Sequence, residues 1–411
     1  MKKIISFLMC ALMALSVVSG VGVQGTSFDV AVTASAAQAK TTIIGKKKTE
    51  LLPYYYQKMT QNEQSNYLKI REAVMNQKSS VKLGKMSEET LSKLINTAYY
   101  YDSLTFNLEG VQFIIGPSYT ELYLEYWYNK ESAVQMVEKM DKKADAVIAK
   151  FDEDTSTYKK IKYIHDYIIK TCTYDKNAKT AGTAYGALVG KKAKCDGYSH
   201  AFAYICRKAG IYTVNVIGYA GEDHMWNKVY YNKKWYNVDV TWDDPESPLK
   251  DNMSYNYFMI SDAQISKTHK AEEIEYDIPA AKSNSRGYYT MYKLTASDTK
   301  EAKSLLISKI ASAATKGKAS VTIQMTDAES YQNVVNYLYK NNSEAIFSIL
   351  KSASKKTKAK LITNGYLSND DKNSRTFTIY FYTKGSKISD YYTSAIDKET
   401  KDFLKQLGLK D

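Results

Sequence analysis

In 411 residues there are only five prolines, four cysteines, four histidines and four tryptophans. So little proline, with lysine far outnumbering arginine, excludes a rigid proline-rich spacer. Outside one stretch near the start there is no hydrophobic run of membrane-spanning length, so no membrane span is expected in the remainder. No repeat of fixed period is present, which excludes a solenoid. The cysteines are too few for a disulfide framework. With Cys10 in the leading stretch, Cys172, Cys195 and Cys206 remain, an odd number. Cys172 and Cys206 read as small buried apolar residues rather than as a pair. One unpaired thiol then raises the question of catalysis. No Asp/Asn-rich loop of the calcium-binding pattern occurs, and neither a metal nor a cofactor is expected.

What is present points to a folded protein of two or three domains, with 44% apolar and 25% charged residues. Tyrosine is abundant, at 37 residues, and suits half-buried strand faces or carbohydrate and peptide clefts. Lys2 and Lys3 precede an apolar stretch from Ile4 to about Val23, broken by serines and glycines. Small-residue cleavage patterns follow at Ala34-Ser35-Ala36 and Ala37-Gln38-Ala39. Residues 1–39 therefore read as a secretory signal, which makes the protein secreted or cell-wall associated. Without them the net charge falls from +13 to +12, through loss of two lysines and one aspartate. Such a surface suits anionic cell-wall polymers outside the cell rather than nucleic acid, or is simply a solvated, solubilising one.

Residues 40–150 read as an N-terminal α+β accessory region. It has helical spacing at Tyr67, Ile70 and Val74, then at Leu91, Leu94, Ile95 and Ala98 behind an N-cap at Ser87. Strands are expected over 111–115 and 119–127, and a helix over 130–150. Residues 151–275 carry a helix over 158–171, in which His165 reads as a packed or hydrogen-bonded residue. A second helix begins at Cys195 and stops at Gly210. Three strand-like runs follow at 212–219, 225–231 and 235–241, the last two joined by a turn at Asn232-Lys233. Residues 276–411 read as a C-terminal α+β domain without a catalytic motif. There the expected elements are helices over 300–313, 327–340 and 343–354, with strands at 320–325, 359–363 and 376–382.

A thiol performs acyl chemistry only as thiolate, which requires a helix N-terminus, a neighbouring imidazolium, or both. Cys195 stands at the mouth of a helix, where backbone N–H groups also favour an oxyanion. His224 lies in a strand, and Asp239 follows fifteen residues later in the next. In a hairpin turning at Asn232-Lys233, Thr241 faces His224 and Asp239 is its diagonal neighbour, near enough to orient the imidazole.

The runs Cys195-Asp196-Gly197-Tyr198, Gly210-Ile211, His224-Met225-Trp226-Asn227 and Trp235-Tyr236-Asn237-Val238-Asp239-Val240-Thr241-Trp242 together resemble the transglutaminase-like superfamily. Upstream, Ile164-His165-Asp166-Tyr167 and Tyr185-Gly186-Ala187-Leu188 resemble its exported bacterial branch; downstream, 257–261 and His269 do so less sharply. The resemblance implies a papain-like α+β core, with the cysteine helix packed on an antiparallel sheet that bears His and Asp. It implies Cys195 as nucleophile, His224 as base and acid, and Asp239 as orienting carboxylate, attacking a protein or peptide amide through a thioester. Cell-wall peptide is among the candidate substrates, and the acceptor is water or an amine, with water preferred. No tryptophan precedes Cys195 closely enough to support the oxyanion; Tyr185 reads as a hydroxyl donor or, in preference, as a packed aromatic, and Trp226 and Trp242 read as walls of the acyl channel or as core filling beside the triad. The alternative is a non-catalytic surface or cell-wall binding protein on the same scaffold.

Overall fold

A computed structural model describes residues 5–8, 51–245, 249, 253–392 and 396–411, with the backbone alone described for 5–8 and 341. The expected signal of residues 1–39 and the segment 40–50 lie outside the described residues, apart from strand β1 (Ile5–Leu8).

Helix α1 (Gln61–Met75) begins at a capping box, in which Thr60 and Glu63 exchange side-chain and backbone bonds. Strand β2 (Ser80–Gly84) leads to helix α2 (Glu88–Asn96), capped by Ser87 Oγ accepting from Thr90 N at 3.1 Å. Strands β3 (Leu108–Ile115) and β4 (Tyr119–Tyr126) form a hairpin, and the sheet order is β1-β3-β4-β2. The periodic apolar residues of α1 and α2 join Val111, Phe113, Leu122 and Leu124 in one buried core. Helix α3 (Lys130–Ile148) crosses to the next unit, where Met140, Ala144 and Val147 are buried with the central core.

The central unit opens with helix α4 (Thr157–Thr171) and two short parallel strands, β5 (Thr173–Tyr174) and β6 (Lys192–Ala193). Helix α5 (Cys195–Lys208) is buried along almost its whole length. It ends in a Schellman arrangement: Gly210 takes φ +77°, Ile211 N bonds to Cys206 O at 2.8 Å, and Gly210 N bonds to Arg207 O at 3.0 Å. Behind α5 stands an antiparallel sheet of β7 (Thr213–Tyr219), β8 (Asp223–Tyr231), β9 (Lys234–Val238), β10 (Phe258–Ile260) and β11 (Lys270–Glu272). Its order is β10-β9-β8-β7-β11, and helix α6 (Asp262–Ile265) links β10 towards β11. The β8–β9 turn lies at Asn232-Lys233 as expected, with both residues left-handed at φ 49° and 61°. The end of β9 differs from the expected one. Strand β9 stops at Val238 rather than at Thr241, because the Asp239 side chain accepts from Thr241 N and Trp242 N and folds the chain into a turn.

The last unit has helix α7 (Tyr288–Met291), strand β12 (Thr295–Ala296), helix α8 (Thr299–Thr315) and strand β13 (Ser320–Met325). Element α9 (Ala328–Ser354) contains left-handed Asn342 and Ser343 at φ 51° and 66°, and strands β14 (Leu361–Asp371) and β15 (Thr376–Thr383) follow. The sheet order is β12-β13-β15-β14, over a core of its own. Helix α10 (Lys398–Gln406) is absent from the sequence reading; Leu404 is its one buried apolar residue, too little to show a period. Among the described residues, no helix is long and apolar enough to cross a membrane.

Candidate active site

Cys195 is the first residue of α5, where a helix leaves N–H groups without intrahelical partners and presents a partial positive charge. The turn is held from outside, since Lys194 N donates to Ala181 O at 3.0 Å. Gly197 permits this approach: a Cβ there would lie 2.2 Å from Ala181 O. Cys195 is buried, 6% exposed, with Sγ 3.1 Å from Asp196 Oδ1. Asp196 Oδ2 in turn pairs with Lys194 Nζ at 2.9 Å. Cys172 and Cys206 are also free and buried, so none of the three described cysteines is in a disulfide.

His224 enters from β8, opposite Gly218 of β7, and its Nε2 lies 2.8 Å from Asp239 Oδ2. It also neighbours the Cys195 thiol closely enough for each to influence the other's titration. With Nε2 committed to Asp239, Nδ1 is the nitrogen left to exchange a proton with sulfur. Asp239 is fully buried, and both of its oxygens are occupied. Oδ1 accepts from Thr241 N and Trp242 N at 2.9 and 3.1 Å, while Oδ2 also meets His269 Nε2 at 2.9 Å. His269 Nδ1 is held by Thr268 Oγ1 at 2.7 Å. The route that brings His269 here is the pairing of β11 on β7, where a Cβ on Gly218 would sit 2.1 Å from Lys270 O.

The sequence attaches no role to His269, because 30 residues and a loop separate it from Asp239 and no strand register carries across. Its ligand atom, with those of His224 and Asp239, falls within 4.8 Å, making this the metal-like group among the described residues. The hydrogen bonds described account for that arrangement without an ion. The imidazole–carboxylate separations are those of N–H···O bonds, and two backbone donors hold the remaining oxygen.

The tryptophans divide. Trp226 is 1% exposed, lies parallel to His224 with ring centres 6.1 Å apart, and donates Nε1–H to Asn237 Oδ1 at 3.1 Å. It fills the core beneath the imidazole and is no channel wall. Trp242 is half-buried, with ring centres 6.2 Å from His224 and 4.6 Å from His269, and it does edge the site. Tyr185 has no hydrogen bond or ring contact with Cys195, His224 or Asp239. It precedes the helical turn Gly186–Gly190 and packs against the central core instead. His165 lies buried between Asp166 and Asp243, 3.1 Å from each, as a packed and hydrogen-bonded residue of α4.

Burial disfavours the His224 imidazolium, but the charge and hydrogen bond of Asp239 outweigh it, and the ring is pushed up to about 10. For Asp239, burial is overcome by His224 and then His269, which hold the carboxyl well below its usual range. Burial pushes the Cys195 thiol up and Asp196 adds to that, while the bond to His224 pulls it down. The thiol and imidazole shifts pull in opposite senses for an ion pair. The imidazole lies 2.8 Å from a carboxylate that is fixed by further donors. The Asp239 carboxylate thus favours the His224 imidazolium, and an imidazolium beside a thiol is the condition under which thiolate forms.

Residues 143–240 match the family model described as the transglutaminase-like superfamily. Mouse kyphoscoliosis peptidase is 29% identical over 174 residues, covering 36% of this chain and 26% of that protein. Human kyphoscoliosis peptidase is 34% identical over 102 residues, covering 22% and 15%. The chain thus spans about a quarter or less of the length of these relatives. Among solved structures, one described as a TGase has a TM-score of 0.26 at 17% identity, covering 41% of this chain and 52% of that one. A candidate cysteine protease from Cytophaga hutchinsonii has 0.25 at 12%, covering 44% and 63%. The matched stretch contains Cys195, His224 and Asp239 and ends before His269, so residues 143–240, of mixed α+β structure, are similar to the transglutaminase-like superfamily.

Proposed function

We propose that the protein is a cysteine acyl-transfer enzyme acting on protein or peptide amides, with water as the preferred acceptor. One observation carries this: His224 is hydrogen-bonded to a buried carboxylate and neighbours a thiol at the start of a helix. In the first step Cys195 Sγ attacks the amide carbon, and the helix N–H groups favour the oxyanion. The C–N bond then breaks as His224 Nδ1 gives its proton to the leaving amine, which leaves a thioester on Cys195. In the second step His224 takes a proton from water as oxygen attacks the thioester, and the acid departs while the thiol is restored. The word peptidase in the names of the curated relatives agrees with a water acceptor. Work outside the cell, on cell-wall peptide among other substrates, is part of the proposal and rests on residues 1–39 and the basic surface.

The second reading, a non-catalytic binding protein, draws on one feature. Cys195 is only 6% exposed, and the large cavity described below does not include it. Incubation with peptide amides at pH 7, followed by mass spectrometry after acid quench, separates the two. A Cys195-linked acyl adduct and released amine are expected. A wild-type chain that releases no more amine than Cys195→Ala across a peptide library overturns the enzyme reading. A lysine analogue added to the same assay decides whether amine competes with water.

A further inference from the structure

The largest cavity described, about 1140 Å³, lies away from Cys195, His224 and Asp239, between α4 and the C-terminal unit. Lysines at 162, 170, 309, 316 and 318 line it, against two carboxylates, Asp166 and Asp244. Both carboxylates are already engaged. Asp166 holds Lys162 at 2.5 Å, and Asp244 accepts the Tyr198 hydroxyl at 2.6 Å. Lys309 donates to the Tyr292 carbonyl at 3.3 Å. Lys170, Lys316 and Lys318 are exposed and have no acidic partner among the described residues. Burial lowers the proton affinity of Lys162, and Lys170 and Lys318 add to this by repulsion although Asp166 opposes it. Like charges that crowd one concave wall cost free energy unless an anion lies between them.

We propose that this cleft binds a segment of a phosphate-rich, base-free polymer, such as a polyol or glycan phosphate chain. The volume exceeds what one phosphate fills, and the ammonium groups come from three places: α4, α8 and the turn before β13. Lysine is a point charge suited to phosphate from several directions. The aromatic wall speaks against nucleic acid, which needs open ring faces for bases. Tyr255 and Tyr288 are stacked on each other at 3.7 Å and 7°, Tyr292 leans on Tyr288 at 4.5 Å, and Lys162 Nζ lies 4.5 and 5.4 Å from the first two rings. The facing sides of Tyr255 and Tyr288 are thereby taken, while Tyr292 keeps an exposed ring. Asp244 on the cleft wall accepts from Tyr198, which lies one turn after Cys195 in α5. The binding proposal itself does not depend on the acyl chemistry.

The test uses the full chain with short-chain inorganic polyphosphate as probe, by titration calorimetry at several salt concentrations. Lys170→Glu with Lys318→Glu is compared with a control of equal charge change, Lys130→Glu with Lys139→Glu, exposed on α3. The cleft pair is expected to weaken binding at least about tenfold and to reduce the salt slope by about 2. The control pair leaves both nearly unchanged. Equal loss in both pairs overturns the proposal, since the surface as a whole then binds. Tighter binding of an oligo-dT of matched charge, lost in the cleft pair, overturns it in favour of single-stranded nucleic acid.

Discussion

At the scale of single residues, Cys195 is a contest between burial and two neighbours. Burial and Asp196 favour the thiol, and His224 favours the thiolate. Iodoacetamide alkylation of Cys195 near pH 7 is therefore expected to slow at least tenfold in His224→Ala, where only the opposing influences remain. Asp196→Asn should have the opposite effect and speed labelling, because it removes a negative charge and an acceptor at 3.1 Å from Sγ. Mapped labelling rates for Cys172, Cys195 and Cys206 provide the reading. Equal rates in the wild type would remove the physical basis of the enzyme. His269 is a positioning residue: it touches no substrate atom in the proposed reaction, yet shares Asp239 Oδ2 with His224. Loss of a buried hydrogen bond to a charged group costs about 1.5–3 kcal/mol, or roughly ten- to a hundredfold in rate if expressed in the transition state. His269→Leu should lower kcat by that order. It should also move the alkaline limb of the pH–rate profile upward, since the Asp239 charge is then spent on His224 alone. His269→Gln, which retains a donor, should recover part of both; a merely structural role would lower stability and leave the limb in place.

At the scale of elements, two turns set the geometry that those residues need. Lys233 occupies a left-handed conformation at φ 61° in the β8–β9 hairpin, for which a residue with a Cβ pays roughly 1–2 kcal/mol. Lys233→Gly is expected to raise the unfolding free energy, by less than about 1 kcal/mol once the greater freedom of unfolded glycine is counted. Gly197→Ala acts in the other direction. Its Cβ meets backbone at 2.2 Å and the side chain of Ala193 at 2.8 Å, so the 181–183 loop or the start of α5 must move. A loss of about 1–3 kcal/mol is expected, read by thermal or urea unfolding. Slower Cys195 labelling in the folded fraction should accompany it. A variant as stable as wild type would show that the loop is not clamped on the helix.

At the scale of the whole molecule, the N-terminal unit is keyed into the helix that begins at Cys195. Arg207 of α5 donates to Tyr101 O at 2.7 Å and Ser103 Oγ at 2.9 Å, Ser103 donates to His200 O at 3.0 Å, and Asn215 donates to Tyr100 O at 2.9 Å. Tyr55 stacks on Tyr276 with centres 4.3 Å apart, which ties the segment before α1 to the one after β11. The C-terminal unit docks more sparsely through the β14–β15 turn, where Asn256 Nδ2 donates to Asp371 Oδ2 at 3.1 Å and Gln264 Nε2 to Asn373 O at 2.8 Å. Stability against pH is a property at this scale. His224 is raised to about 10 from an ordinary value near 6.5, so its contribution is complete below about 6.5 and is lost as pH climbs through 10. Asp239 is lowered, so its contribution is complete above the ordinary carboxylate range and fades as pH falls beneath about 4. The difference in thermal midpoint between wild type and His224→Ala should be largest near pH 6 and shrink towards pH 10. A difference flat across that range would mean that His224 is not held as an imidazolium.

Much of this was written locally in the chain. Ser87 before an apolar period makes a helix start, Gly210 after one makes a helix stop, and Asn232-Lys233 between alternating runs makes a hairpin, because each depends on residues a few positions apart. Those local rules placed Cys195 on a helix end and His224 on a strand. They carried Asp239 one step too far along its strand, since the hydrogen bonds that end β9 come from the side chain of Asp239 itself. What only the tertiary structure decided depends on contacts between distant parts of the chain. His269 reaches Asp239 because β11 closes against Gly218, Tyr185 turns into the core, and Trp226 is sealed under the imidazole while Trp242 stays at the edge. No local period encodes those pairings, and neither does the lysine-lined cleft, whose charges meet only when α4 and α8 are brought face to face.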